Sequence, residues 1–224
     1  MIKKNLISSF KGLGLILGSL SLLYYYAIRP WHLRWGATPD EAARSLPGDT
    51  LIPHPKQLST RAITVQAGAA AIWPWLVQVG QGRGGFYSYD WLENLAGCDI
   101  HNASQILPEY QQLAVGDKVR LGPEGYPFYT VAALEPEQFL LLHAADPEQE
   151  PPPVQDIWLF YLAELAPGLT RLIARNRRDY APTLANIITW QGIVEPLHFL
   201  MEQKMLRGIK QRAETIATRS TTAQ

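Results

Sequence analysis

Apolar and polar positions change period several times along the chain, and the changes mark its elements. From Gly12 to Ile28, "GLGLILGSLSLLYYYAI", no charge interrupts the run. At about 1.5 Å per residue this makes a helix of roughly 26 Å, near the ~30 Å of a hydrocarbon core, with Lys11 and Arg29 placed to snorkel. A single transmembrane helix is predicted. Lys3, Lys4 and Lys11 precede it, and Tyr24, Tyr25, Tyr26, Trp31 and Trp35 crowd its far end, where amphipathic rings favour the interface. The following "YYYAIRPWHLRW" has bulky rings where a leader-peptide cleavage site needs small residues, so the segment reads as an uncleaved single-pass anchor. Three Lys on one flank against two Arg and His32 on the other leave the side of the membrane undecided.

After the anchor, Thr38 is placed to cap a short helix with Pro39 in its first turn and Asp40 and Glu41 near the positive dipole end. Pro-rich chain follows, a tether expected on the domain surface. "TRAITVQA" alternates as a strand; "GAAAIWPWLVQVG" has helical period with Ala70, Trp73, Leu76 and Val77 on one face and Pro74 early enough to be tolerated. "YDWLENLAG" is a second short helix stopped by Gly97. Then come strand-like runs, "VGDKVRLG", "FYTVAALEPEQFLLLHA", "DIWLFYLAEL" and "TRLIARNRRD", separated by turn residues and by the solvated loop "DPEQEPPPVQ". The last long segment repeats Ile187, Trp190, Val194, Leu197, Met201, Met205 and Ile209 at steps of three and four, with a kink expected at Pro196.

The pattern thus divides the chain into an anchor with flanks (1–35), a tether (36–59), a folded domain (60–214) and a frayed tail (215–224). Only the last helix is long enough to cover the buried face of an antiparallel sheet. The fold class is α+β, with a curved antiparallel sheet gripping a long carboxy-terminal helix.

Composition narrows the chemistry. Nearly half of the 224 residues are apolar (47%), enough for a packed core without staples, and the lone Cys98 excludes an intrachain disulfide or a cysteine-rich metal site. The formal charge is zero, yet all 20 acidic residues follow Gly36, so the domain itself is net acidic; nucleic acid is not an expected partner. Gly80, Gly82 and Gly85 spell G-x-G-x-x-G, but they follow a helical segment and precede "FYSYDW", outside the strand–turn–helix setting that a dinucleotide site requires. They read as a bend between two helices.

No catalytic pair stands out. Asp99 and His101 read as a surface turn, His198 and Glu202 as a solvated pair on the long helix, and Asp90 and Glu93 as capping and surface charge. Arg171, Arg175 and Arg177 share one strand face; if that face points inward, a guanidinium there could hold an acidic head group. No cofactor or metal is implied.

The stretch "WPWLVQVGQGRGGFYSYDWLENL", with "RPWHLRWGAT", "LPGD", "TRAITV" and "EPLHFLMEQKMLRGIKQRAE", resembles the START-like superfamily, in particular its SRPBCC and polyketide-cyclase/dehydrase/lipid-transport group with preceding membrane segments. The likeness runs from Arg29 to Glu214. It implies a helix-grip fold around an apolar cavity that binds a hydrophobic small molecule or lipid. Phe86, Tyr87, Tyr89 and Trp91 would line or gate its mouth. Trp73, Trp158, Trp190, Leu197 and Met201 would belong to the cavity as well, and Arg175 or Arg177 would meet any acidic head. Two alternatives stand beside this binding module: a cyclase- or dehydratase-type enzyme using Asp90, Asp99 or His101 in the same cavity, and a ligand-free membrane-surface adaptor. Many relatives carry several membrane helices, whereas this chain has at most one.

Overall fold

The computed structural model describes residues 18–145 and 154–222. Its six strands are β1 (Gln57–Val65), β2 (Lys118–Arg120), β3 (Phe128–Glu135), β4 (Phe139–Ala145), β5 (Val154–Ala166) and β6 (Leu169–Tyr180). All pair antiparallel in one sheet, in the order β1-β6-β5-β4-β3-β2. The helices are α1 (Arg29–Leu33), reached through the π-helical turn Tyr24–Ile28, then α2 (Pro39–Ala43), α3 (Ala69–Val77), α4 (Asp90–Leu95) and α5 (Leu184–Ile187). A π-helical stretch, Ile188–Val194, joins α5 to the long α6 (Glu195–Thr222). The strand order and the long last helix fit the helix-grip architecture.

Alternation along the strands assigns their faces. Leu172 and Ala174 of β6, Trp158, Phe160 and Leu162 of β5, and Leu140 and Leu142 of β4 point to the core face. There they meet Ile72, Trp75 and Leu76 of α3 and Met205, Leu206, Ile209 and Ala213 of α6. On α3 the buried set is Ile72, Trp75, Leu76 and Val77, with Trp73 half-buried, so the packed face is rotated from the predicted one. Register shifts between Val131 and Ala133 and between Glu164 and Ala166 mark bulges, which bend their strands.

The carboxy-terminal helix is two pieces. Pro196 has no N–H to return to the preceding turn, and the chain ahead of it adopts wide π turns instead of one sharp kink. Helix continues to Thr222, beyond the predicted end at residue 214, so the expected tail is helical as far as the description reaches.

The opposite, outer face of the sheet is not wet. Segment 38–55 lies across it, with Leu46 and Ile52 packed on Ala62, Leu141, Ile157, Leu159 and Ile173. The three outward arginines of β6 hold this strap. Arg175 donates to the carbonyls of Glu41, Ala42 and Arg44 and to Asp49, and its Nε to Thr60. Arg177 donates to the carbonyls of Ile52 and Pro53, and Arg171 binds Glu41 through two nitrogens. The expected cap is present: Thr38 Oγ1 accepts from Glu41 N–H, and the Glu41 carboxylate accepts from Thr38 N–H, a full capping box. Gly36 turns the chain into this strap at φ +73°, where a Cβ would stand 2.1 Å from the Ala62 carbonyl oxygen.

Gly80, Gly82 and Gly85 all have positive φ, and Gly80 pairs with Gly85 in an isolated bridge, closing a tight bend between α3 and α4. Gly97 ends α4 at φ +76°, as predicted. No helix among the described residues is long and apolar enough to cross a membrane. The predicted anchor falls partly on residues 1–17, outside the described ones.

The arginine strap has a measurable consequence. Arg175→Ala removes the donor shared by three carbonyls and Asp49, of which Asp49 keeps Leu46 N–H and Arg177, and is expected to lower the unfolding free energy by about 2–4 kcal/mol in urea titrations. Proteolysis within 38–55 should accelerate in the same variant.

Candidate functional site

The middle of α6, from Met205 to Ala213, fills the core, but its first turns stand away from the sheet, and a cavity of about 850 Å³ occupies the gap. The helix side is Trp190, Val194, Leu197, His198, Met201 and Glu202. Across from it are Trp158 and Asp156 of β5, Arg178 of β6 and Tyr129 of β3; Phe86, Glu93 and Cys98 close one end, and the β2–β3 turn around Tyr126 another.

Two buried charge clusters stand in this wall. In the first, Asp156 accepts from Tyr129 Oη at 2.8 Å, from Asn176 Nδ2 at 2.8 Å and from Arg178, whose Nε lies at 3.0 Å and whose Nη2 is also bonded. Burial pushes the Asp156 carboxyl up, against the pull of Arg178. Burial and the neighbouring acid together hold the Tyr129 phenol well above its usual value. The Trp190 ring lies over the Arg178 guanidinium at 4.5 Å and stacks on Tyr180 at 5.8 Å, which brings the π-helical segment down onto this cluster.

The second cluster joins four elements, α1, β1, β5 and α6. Glu202 Oε1 accepts from Trp158 Nε1 at 2.7 Å and its Oε2 from Arg61 Nη1 at 2.6 Å, while Arg61 Nε donates to the His32 carbonyl at 2.8 Å. Burial alone would raise the Glu202 carboxyl; Arg61, His198 and the two hydrogen bonds more than reverse this, and it is held below the ordinary value. His198, one turn before Glu202 on α6, is pushed down to about 4, chiefly by burial, and is a neutral imidazole at pH 7.

The same end of α6 carries α1. Arg29 grips Glu195 through two nitrogens at 2.9 Å, and Phe199 meets the rings of Trp31 and His32 at 5.3 and 5.2 Å. Tyr24 Oη donates to the Gln191 carbonyl at 2.7 Å. His32, buried between Glu195 and Arg61, is pushed down to about 4 by burial and then by the two arginines.

Of the sequence-predicted positions, Phe86, Trp158, Trp190, Leu197 and Met201 line the cavity. Tyr87 is buried behind the wall with its hydroxyl on the Trp75 carbonyl, and Trp73 packs at the core margin. Tyr89 and Trp91 are exposed and face each other at 6.4 Å. Arg175 and Arg177 lie on the outer face and hold the strap, because odd-numbered residues of β6 point away from the cavity. Asp99 and His101 form an exposed turn, 3.1 Å apart, and Asp90 is exposed; none of the three reaches the cavity.

Sequence reasoning missed the inward charges. Glu202 is buried rather than solvated, His198 is half-buried against the Trp158 ring, and Glu93 is buried in the cavity wall. A signal existed: Asp156 shares parity with Trp158, Phe160 and Leu162, and Arg61 with Ile63 and Val65. A charge at an inward position of an alternating strand demands a buried partner.

No protein-family model matches the chain, and no curated protein does. Solved structures of similar outline include a hypothetical protein, jhp0584, of Helicobacter pylori (TM-score 0.46, 11% identity, 79% of this chain and 99% of that one). Others are truncated norcoclaurine synthase of Thalictrum flavum (0.41, 12%, 69% and 91%) and MLL2253 of Mesorhizobium loti (0.40, 14%, 71% and 98%). The overlaps are partial, and the architecture stands on this chain's own strand order and register.

Between pH about 6.5 and about 4 the unfolded chain binds a proton at His32 and at His198 that the folded chain refuses, so each makes stability rise with pH across that window. The raised carboxyls of Glu93, Asp156 and Glu195 act in the opposite sense, so the test is a difference. His198→Leu should reduce the slope of unfolding free energy against pH there by about 1.4 kcal/mol per unit relative to the parent, measured by urea denaturation at half-unit steps.

Proposed function

We propose that this chain is a membrane-anchored binding module whose cavity, between the sheet and the first turns of α6, accepts a hydrophobic small molecule or lipid. One observation carries the reading: about 850 Å³ of space is walled mainly by aromatic and aliphatic side chains, within the size range of small-molecule sites. The adjacent charges are mostly committed to one another, so the wall offers a guest apolar surface with few polar anchors. An adaptor with no ligand would have its interior filled by its own side chains, and the volume between Trp158 and Met201 argues against that.

The anchoring half of the proposal is supported by exposed apolar residues that run together. Leu20, Leu22, Leu23, Tyr26 and Ile28 are exposed on the described end of the apolar run. The Tyr24–Gln191 hydrogen bond ties this segment to the π-helical stretch, where Ile188 and Ile193 are also exposed. Such a surface on a soluble face is costly; a bilayer removes the cost.

Two measurements test the two halves separately. Met201→Trp puts a large ring into the cavity and is expected to weaken binding of N-phenyl-1-naphthylamine at least about ten-fold while the far-UV circular dichroism stays the same. A parent protein that never enhances the dye's fluorescence would overturn the receptor reading. For the anchor, the full chain expressed in bacteria should stay with the membrane pellet after alkaline carbonate extraction; release into the supernatant would overturn it.

A further inference from the structure

The cavity wall contains one carboxyl that its surroundings do not use fully. Asp156 has both oxygens occupied, by Asn176 on one side and by Tyr129 and Arg178 on the other. Glu202 has both occupied, by Trp158 and Arg61. Glu93 differs: its Oε1 accepts from Ser88 Oγ at 2.6 Å, whereas its Oε2 has no hydrogen-bond partner among the described residues. The residue is only 6% exposed, and it lines the cavity. A buried carboxyl oxygen with no partner is a standing desolvation cost, which a guest can remove.

The placement of Glu93 is held firmly. Asn102 Oδ1 accepts from Tyr87 N–H at 2.6 Å, and its Nδ2 donates to the Ser88 carbonyl at 3.1 Å, fixing the chain just before α4. Asn94 then bonds both the N–H and the carbonyl of Ile100. Asp90 and Trp91 of the same helix face water, while Glu93, a turn later, faces in. Burial, with the nearby Asp90 charge adding to it, raises the Glu93 carboxyl, so the group favours its neutral, proton-donating form more than an exposed glutamate does.

The remaining wall restricts what could meet it. An anionic head finds no free cation among the described residues of the wall, since Arg178 is engaged by Asp156 and by Gln57. A hydroxyl or carbonyl oxygen fits, since a carboxyl can accept from the first and donate to the second.

We propose that Glu93 is the polar anchor of the cavity, and that its ligand is an apolar molecule carrying an uncharged hydroxyl or carbonyl head that bonds to the free oxygen of Glu93. This rests on the receptor reading above and names the ligand class for that site. The anchor sets orientation: the head lies at the α4 end, near Cys98, and the apolar body extends along Trp158 towards Met201 and Trp190.

The test compares two nearly isosteric probes, 2-naphthol and 2-methylnaphthalene, by calorimetric titration of the full chain in detergent. In Glu93→Leu, 2-naphthol is expected to bind about ten-fold more weakly than to the parent, while 2-methylnaphthalene stays within about two-fold. Retained 2-methylnaphthalene binding also shows that the variant is folded. Should Glu93→Leu misfold, Glu93→Gln carries the test: it keeps a hydrogen-bonding group and is expected to retain most of the 2-naphthol affinity, and a ten-fold loss there with the hydrocarbon unaffected would contradict the simple head-group contact. An unchanged ratio of the two affinities in Glu93→Leu overturns the Glu93 assignment and leaves the receptor reading standing. Failure of both probes to bind the parent overturns the receptor reading, and this inference with it.

Discussion

The buried pair of Arg61 and Glu202 decides how the long helix meets the sheet. Arg61 projects from the core face of the edge strand β1, and Glu202 from α6, and neither has water to fall back on. Each must find the other, because an unpaired charge there costs several kcal/mol. Their contact sets the distance between helix and sheet at one point. Trp158, bonded to the second oxygen of Glu202, sets it at the next. Behind them, towards Ala213, the helix packs tightly on the core; ahead of them it stands off, and the cavity is the space left over.

Arg178 and Asp156 do a related job from the sheet's interior. Their pair, topped by Trp190, anchors the π-helical stretch above the cavity. That stretch follows from Pro196: the missing N–H makes a regular ladder impossible there, and wide turns absorb the defect. A helix interrupted at this point can curve over the cavity, where a straight one would point past it.

The two sheet faces have different fillers. The core face takes α3 and α6, and the outer face takes the strap 38–55, held by Arg171, Arg175 and Arg177. Because the strap leads directly from α1, and α1 is bonded to Glu195, Phe199 and Arg61, the amino-terminal segment is built into the domain and braces the same end of α6 that borders the cavity.

Local pattern alone determined a great deal: the six strands and their turns, the N-cap at Thr38, the stop at Gly97, the bend at Gly80–Gly85, and the helix face from Trp190 to Met205 that lines the cavity. These depend on period, caps and φ preferences within a few residues, and such constraints are written in the neighbouring sequence. Which side of β6 faces inward was not of this kind. Arg171, Arg175 and Arg177 alternate as regularly as Ala174, Asn176 and Arg178, and only the strap on one side and the helix on the other distinguish them. The same holds for Glu202 and Glu93, which read as surface charge in a helix taken alone. The burial of Glu202 depends on partners far away in sequence, Arg61 above all, and a charge's surroundings are a property of the folded whole.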